Sequence, residues 1–168
     1  MDGDEEEVRV VDVVDARYVG LFRHATFNRL QSVLMDQLLG TDDNMVVAAP
    51  TGSGKTVLHE LAILRLLHIR SRSTMSVQSI KVVLIAPNKA LCQQRMLEWS
   101  NIFPGVGLSV VELTGDTDTS QVNRQLATAN IMITTPEKWD SITRQWRDNV
   151  FLIGCVDLLL IDEAHHLG

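Results

Sequence analysis

Two acid-and-phosphate patterns stand out among the residues that could do chemistry. The first is Thr51-Gly52-Ser53-Gly54-Lys55-Thr56, which follows the apolar, β-favouring run Met45-Val46-Val47-Ala48-Ala49. Triphosphate oxygens are dense in charge and accept hydrogen bonds only. They need backbone N–H groups at close range, and Gly52 and Gly54 put no Cβ in the way. A helix opening near Gly54 adds its positive end. Lys55 then reaches the β- and γ-phosphates, and the Thr56 hydroxyl ligates Mg²⁺. The outer position of the usual phosphate-loop pattern is Ala49 here, not Gly. The second pattern is Asp162-Glu163, delivered by the apolar run Val156–Ile161. An acidic pair at a strand end suits Mg²⁺-dependent nucleotide hydrolysis. Asp162 would hold the metal, and Glu163 would orient the attacking water and accept its proton.

These groups need a scaffold. Apolar runs at 45–49, 80–86, 108–113, 131–134 and 156–161 alternate with segments of helical spacing at 26–39, 57–69, 89–103, 120–129 and 136–147. The strands are continuous apolar runs rather than alternating ones. That predicts an α/β fold, a parallel sheet with helices on both faces. Ligands of such sheets bind past the carboxyl ends of the strands. The phosphate loop, Pro87, Thr114, Thr135 and Asp162 each follow a strand, so they are expected on one rim. Helix 26–39 carries Phe27, Leu30, Leu34 and Leu38 on one face. Beside them lies Gln31, whose amide can read the N6/N7 edge of adenine. Thr135 caps the helix that Pro136 opens, and a capped helix N-terminus attracts anions. The Pro87 segment, the Thr114-Gly115 turn and the Thr135-Pro136 cap would therefore hold successive phosphates of a single strand. Lys89 and Arg95 would supplement them.

Composition narrows the class. The chain has 168 residues, 45% of them hydrophobic, enough for a packed core. Net charge is −6, but Asp2, Asp4, Glu5, Glu6 and Glu7 carry most of it, so no basic field announces nucleic acid. Residues 1–20 read as an acidic, disordered N-terminal extension and 21–168 as one domain. Within the extension, Val8–Val14 fits an edge strand or a docked arm. An acidic start with no apolar core is unlike a signal peptide. Cys92 and Cys155 fit neither a disulfide framework nor a zinc site. Cys92 shares a helical stripe with Met96, Trp99 and Phe103 and is expected in the core. Together these features point to an intracellular protein.

The motifs, in their order, resemble the first RecA-like domain of superfamily-two helicases. Phe27–Ser32 resembles the adenine-recognising Gln motif, Pro50–Thr56 motif I, and Ala86–Leu91 motif Ia. Thr114-Gly115-Asp116 is similar to motif Ib, and Thr135–Asp140 to the block after it. Asp162-Glu163-Ala164-His165 stands where motif II belongs. The TPEKWD block marks the Ski-like group. Glu60–Ile63 and Thr143–Asn149 look most like its meiotic crossover-promoting, Mer-three type members, although Ala164 stands where that subgroup usually has Val. The resemblance implies ATP and Mg²⁺ as cofactors. It assigns Lys55, Asp162 and Glu163 to hydrolysis, Gln31 and Thr51–Thr56 to the nucleotide, and Pro87, Lys89, Thr114, Gly115, Thr135 and Pro136 to the nucleic acid. It implies three-prime to five-prime movement on a single strand, DNA favoured over RNA, in meiotic recombination in the nucleus. It links His165 to the nucleic-acid side or the partner domain. A splicing-type, RNA-remodelling helicase of the same group is the alternative, and a non-catalytic nucleotide-binding module another. Such enzymes work with a second RecA-like domain, which these 168 residues do not include. The fragment alone is therefore expected to bind nucleotide weakly and not to unwind.

Overall fold

The computed structural model describes residues 7–72, 79–115, 124, 125, 127–144 and 154–164. The chain divides into two compact units, Met1–Ile69 and Arg70–Gly168.

The first unit is helical. Its described residues start with an arm. Val10 N–H donates to Ala25 C=O (2.9 Å) and Phe27 N–H to Val8 C=O (2.8 Å), with an antiparallel bridge between Arg9 and Thr26. Helix α1 (Val10–Val13) follows. Val10, Val14 and Tyr18 are buried, so the described part of the acidic extension is a docked arm rather than a disordered tail or a strand. Helix α2 runs Arg29–Gly40 and begins with a capping box: Asn28 Oδ1 accepts from Gln31 N–H, and Gln31 Oε1 accepts from Asn28 N–H. Helix α3 (Lys55–Ser71) leaves the phosphate loop directly. Arg65 on α3 donates to Leu39 C=O (2.9 Å) and pairs with Asp42 (2.7 Å). A cation on the last carbonyls of α2 favours that helix end.

Met45–Ala49, expected as a strand, forms none, and Val46 is 94% exposed. A β-favouring sequence becomes a strand only when its N–H and C=O groups find a ladder partner. Within the first unit the described residues offer no strand to pair with.

The second unit holds a parallel four-stranded sheet, β1 (Val82–Ile85), β2 (Val110–Leu113), β3 (Ile131–Thr134) and β4 (Leu158–Ile161), in the order β2-β3-β1-β4. Its register aligns Ile85 with both Thr134 and Ile161, and Leu113 with Thr134. All four carboxyl ends thus lie on one edge. Every residue of β1 and β3 is buried. Successive side chains point to opposite faces, so both faces of the sheet are covered there. Asn130 pins the amino edge: its Nδ2 donates to Ile80 C=O (3.1 Å), and its Oδ1 accepts from Ser109 N–H (3.0 Å).

Helix α4 (Lys89–Ile102) connects β1 to β2, and α5 (Pro136–Arg144) connects β3 to β4. Ile142 and Trp139 of α5 pack on Val83, Ile85, Leu113 and Met132, the face expected from their spacing. Cys92 and Trp99 on α4 are fully buried, with Phe103 following, and the Trp99 and Phe103 rings meet edge to face at 5.3 Å. Burial pushes the Cys92 thiol up to about 11, the mark of an inert core cysteine. Half of the expected helix 120–129 lies outside the described residues, with 124, 125, 127 and 128 helical, and so do residues 145–147 of helix 136–147. No helix among the described residues is long and apolar enough to cross a membrane.

Candidate functional site

In the first unit the glycine-rich loop, expected to bind phosphate, is held by Asn28 and by Gln31 of α2. Gly52 and Gly54 have φ of 82° and 86°, the left-handed region that glycine enters without steric cost. At Gly54 a Cβ would also run into the Gln31 and Asn28 amides. Those amides grip the loop: Asn28 Nδ2 donates to Ser53 C=O (2.9 Å) and Gln31 Nε2 to Gly54 C=O (3.1 Å). These contacts engage the Ser53 and Gly54 carbonyls, while the Ser53 N–H donates back to Pro50 C=O (3.2 Å) and closes the turn. The Gln31 amide, assigned from sequence to an adenine edge, is buried and has one donor and one acceptor committed here. Asn28 was not singled out in the sequence; as a helix N-cap three residues before a Gln, it was findable.

Two further features fit an anionic ligand. The Ser53 hydroxyl is buried with no hydrogen-bond partner. Lys55 Nζ donates to Ala49 C=O (2.8 Å) and Pro50 C=O (3.0 Å), so its ammonium is folded over the loop's own backbone. Thr51 is exposed, and Thr56 is half-buried in the first turn of α3. Among the described residues no three His, Cys, Asp or Glu side chains cluster as a metal site. Magnesium bound with a nucleotide needs fewer, because phosphates and water supply most of its oxygens.

In the second unit the carboxyl edge carries the other candidates. Pro87, Thr114, Thr135 and Asp162 each lie just past the end of a strand. A cavity of ≈ 490 Å³ opens there, lined by Pro87, Lys89, Gly115 and Thr135, with Asn88, Glu137, Lys138 and Ser141 completing the wall. Thr114 is buried at the end of β2 and Pro136 opens α5, but neither lines the cavity. Two helix starts converge on it. Asn88 Oδ1 accepts from Leu91 N–H at the start of α4 (2.9 Å), and Thr135 Oγ1 accepts from Lys138 N–H at the start of α5 (3.4 Å). Capped helix starts and two lysines, against the single carboxylate of Glu137, leave the wall net positive. Asn88, Lys138 and Ser141 were missed from sequence although they sit inside or beside the quoted motifs.

Asp162 is buried, and its N–H donates to Ile85 C=O (2.9 Å), which fixes it beside the end of β1. Glu163 has φ of 48°. A left-handed non-glycine residue carries strain on the order of 1–3 kcal/mol and concentrates at functional sites. Arg95, expected to supplement phosphate contacts, is instead buried on α4. It donates to Glu98 Oε2 (2.7 Å) and to Asp162 Oδ2 (3.3 Å). Its place on the apolar stripe of Cys92 and Trp99 was the signal that it turns inward. His165 lies outside the described residues.

A family model described as DEAD/DEAH box helicase matches residues 28–168. The chain is 49% identical over 159 residues to a mouse protein named "Probable ATP-dependent DNA helicase HFM1", covering 94% of this chain and 11% of that protein. It is 42% identical over 146 residues to "ATP-dependent DNA helicase MER3" of Saccharomyces cerevisiae, covering 87% of this chain and 12% of that protein. The fold is similar to that of the DEAD-box helicase Mss116 bound to ssRNA and UDP-BeF. There the TM-score is 0.76 at 25% identity, over 96% of this chain and 34% of that one. The chain spans about a tenth of the length of the curated relatives it matches. The parallel sheet and these likenesses bear out the RecA-like α/β fold expected from the motifs. With its motif blocks matched from Asn28 onward, the chain belongs to the DEAD/DEAH box helicases.

Proposed function

We propose that this chain is the ATP-binding part of an ATP-dependent DNA helicase that moves three-prime to five-prime along one strand. The observation that carries the reading is the cavity at the sheet's carboxyl edge, where three motif blocks far apart in sequence meet around two helix starts. In this reading Thr51–Thr56 cradle the triphosphate, with Lys55 on its outer phosphates. Thr56 and Asp162 would each offer an oxygen to Mg²⁺, which would supply charge neutralisation for phosphoryl transfer, and Glu163 would orient the attacking water and accept its proton. The loop's positive-φ glycines and the unpartnered Ser53 hydroxyl support the cradle. Gln31 keeps enough amide capacity beyond its loop contacts to meet adenine, since an amide has two N–H groups and two acceptor sites. Pro87, Lys89, Gly115 and Thr135, with Thr114 and Pro136 behind them, track the phosphates of a single strand. The names of the two relatives favour DNA. The resemblance to crossover-promoting helicases adds meiotic recombination, and with it the nucleus.

RNA remodelling is the second reading, favoured by the ssRNA bound to the DEAD-box neighbour. Strand displacement by the intact protein separates them. With ATP, three-prime-tailed DNA duplexes should open, five-prime-tailed ones should not, and RNA duplexes should open poorly. Displacement of RNA alone would overturn the DNA reading. Tight partner binding with neither displacement nor ATP turnover would overturn both and leave a docking module.

A further inference from the structure

One buried cation has no part in the function described so far. Arg95 is 8% exposed and lies on α4, two turns from the Asn88-Lys89 end that lines the cavity. Its guanidinium has three neighbours. Glu98 Oε2 is at 2.7 Å, the Trp99 ring centroid at 5.9 Å, and Asp162 Oδ2 at 3.3 Å. The short bond is to its own helix and the long one is to Asp162. Arg95 is therefore anchored on α4 and reaches across to the strand-end carboxylate.

We infer that Arg95 is a positioning residue that ties Asp162 to helix α4 and couples the polynucleotide cavity to the metal. The inference rests on the reading of Asp162 as a Mg²⁺ ligand. A carboxylate this buried needs a countercharge. Arg95 supplies one now, and a metal ion supplies the same charge, so the two compete for Asp162 by simple electrostatics. An α-helix rises 1.5 Å per residue, so the cavity end and the guanidinium are about 10 Å apart along one stiff rod. A strand seated against Asn88 and Lys89 shifts that rod, draws Arg95 from Asp162 and frees the carboxylate for the metal. Coupling of this kind needs a differential contact in two states, and the long 3.3 Å bond is where the states differ.

The test is the ratio of affinities for a slow-hydrolysing ATP analogue with Mg²⁺ and with EDTA, measured on the full chain with and without oligo-dT. In the wild type, oligo-dT should raise the ratio. In Arg95→Gln the ratio should already be raised by at least about fivefold without DNA, and oligo-dT should add little. Arg95→Lys, which keeps the charge, should return toward wild type. Glu98→Gln releases the anchor, strengthens the field of Arg95 at Asp162 and should lower the ratio. That opposite sign decides the matter even where Arg95→Gln folds poorly. A purely structural ion pair would move both variants the same way or neither, and that result would overturn the inference while leaving the nucleotide reading intact. A wild-type chain with no Mg²⁺-dependent binding would overturn the nucleotide reading, and the inference with it.

Discussion

Glu112 shows how a single residue's surroundings set its behaviour. It sits on β2 between Val111 and Leu113, which pack into the core, so it points to the opposite face. Burial raises its carboxyl pKa above the ordinary glutamate value, against the pull of Lys89. As pH rises from that ordinary value toward the raised one, the unfolded chain loses the proton first. The folded state then binds more protons, so stability falls across the window and stays lower above it. Glu112→Gln removes the charge. It should raise the melting temperature at about pH 7 and leave it nearly unchanged at about pH 4, where wild-type Glu112 is largely protonated. A variant less stable than wild type at about pH 7 would contradict this. At the same scale, the phosphate loop was legible because its chemistry needs fixed residue types at fixed spacing. Arg95 was misjudged because an exposed role was assumed for a charge. Its helical phase, shared with Cys92 and Trp99, already pointed inward.

At the scale of elements, α4 links most of what matters in the second unit. Its cap and first residue line the cavity, Arg95 reaches Asp162, and Trp99 anchors the far end against Phe103. Trp99→Ala removes a fully buried indole and the ring under Arg95. It should cost about 3–5 kcal/mol in denaturant unfolding. A cost below about 1 kcal/mol would mean that α4 is not held by this contact. The long helices and buried strands of this unit were readable from apolar periodicity, and α5 packs on the face its spacing selected. Met45–Ala49 was not readable in the same way. Its composition favours a strand, but pairing is a property of neighbours, and composition says nothing about which neighbour is present.

At the scale of the whole molecule, the two units carry different parts of the proposed machinery. The glycine-rich loop with its α2 clasp belongs to the first unit, and the cavity with Asp162 and Glu163 belongs to the second. Order of motifs along the chain named the residues of both groups as expectations. What it could not foretell is the clasp of Asn28 and Gln31 on the loop carbonyls, a contact between segments more than twenty residues apart. The central claim is that the loop binds a nucleoside triphosphate through Lys55. Isothermal titration of the full chain with a slow-hydrolysing ATP analogue and Mg²⁺ tests it most directly. The expected result is weak, saturable heat with one site per chain, abolished by Lys55→Ala in a protein that still unfolds cooperatively. No heat from the wild type, or the same heat from Lys55→Ala, would contradict it.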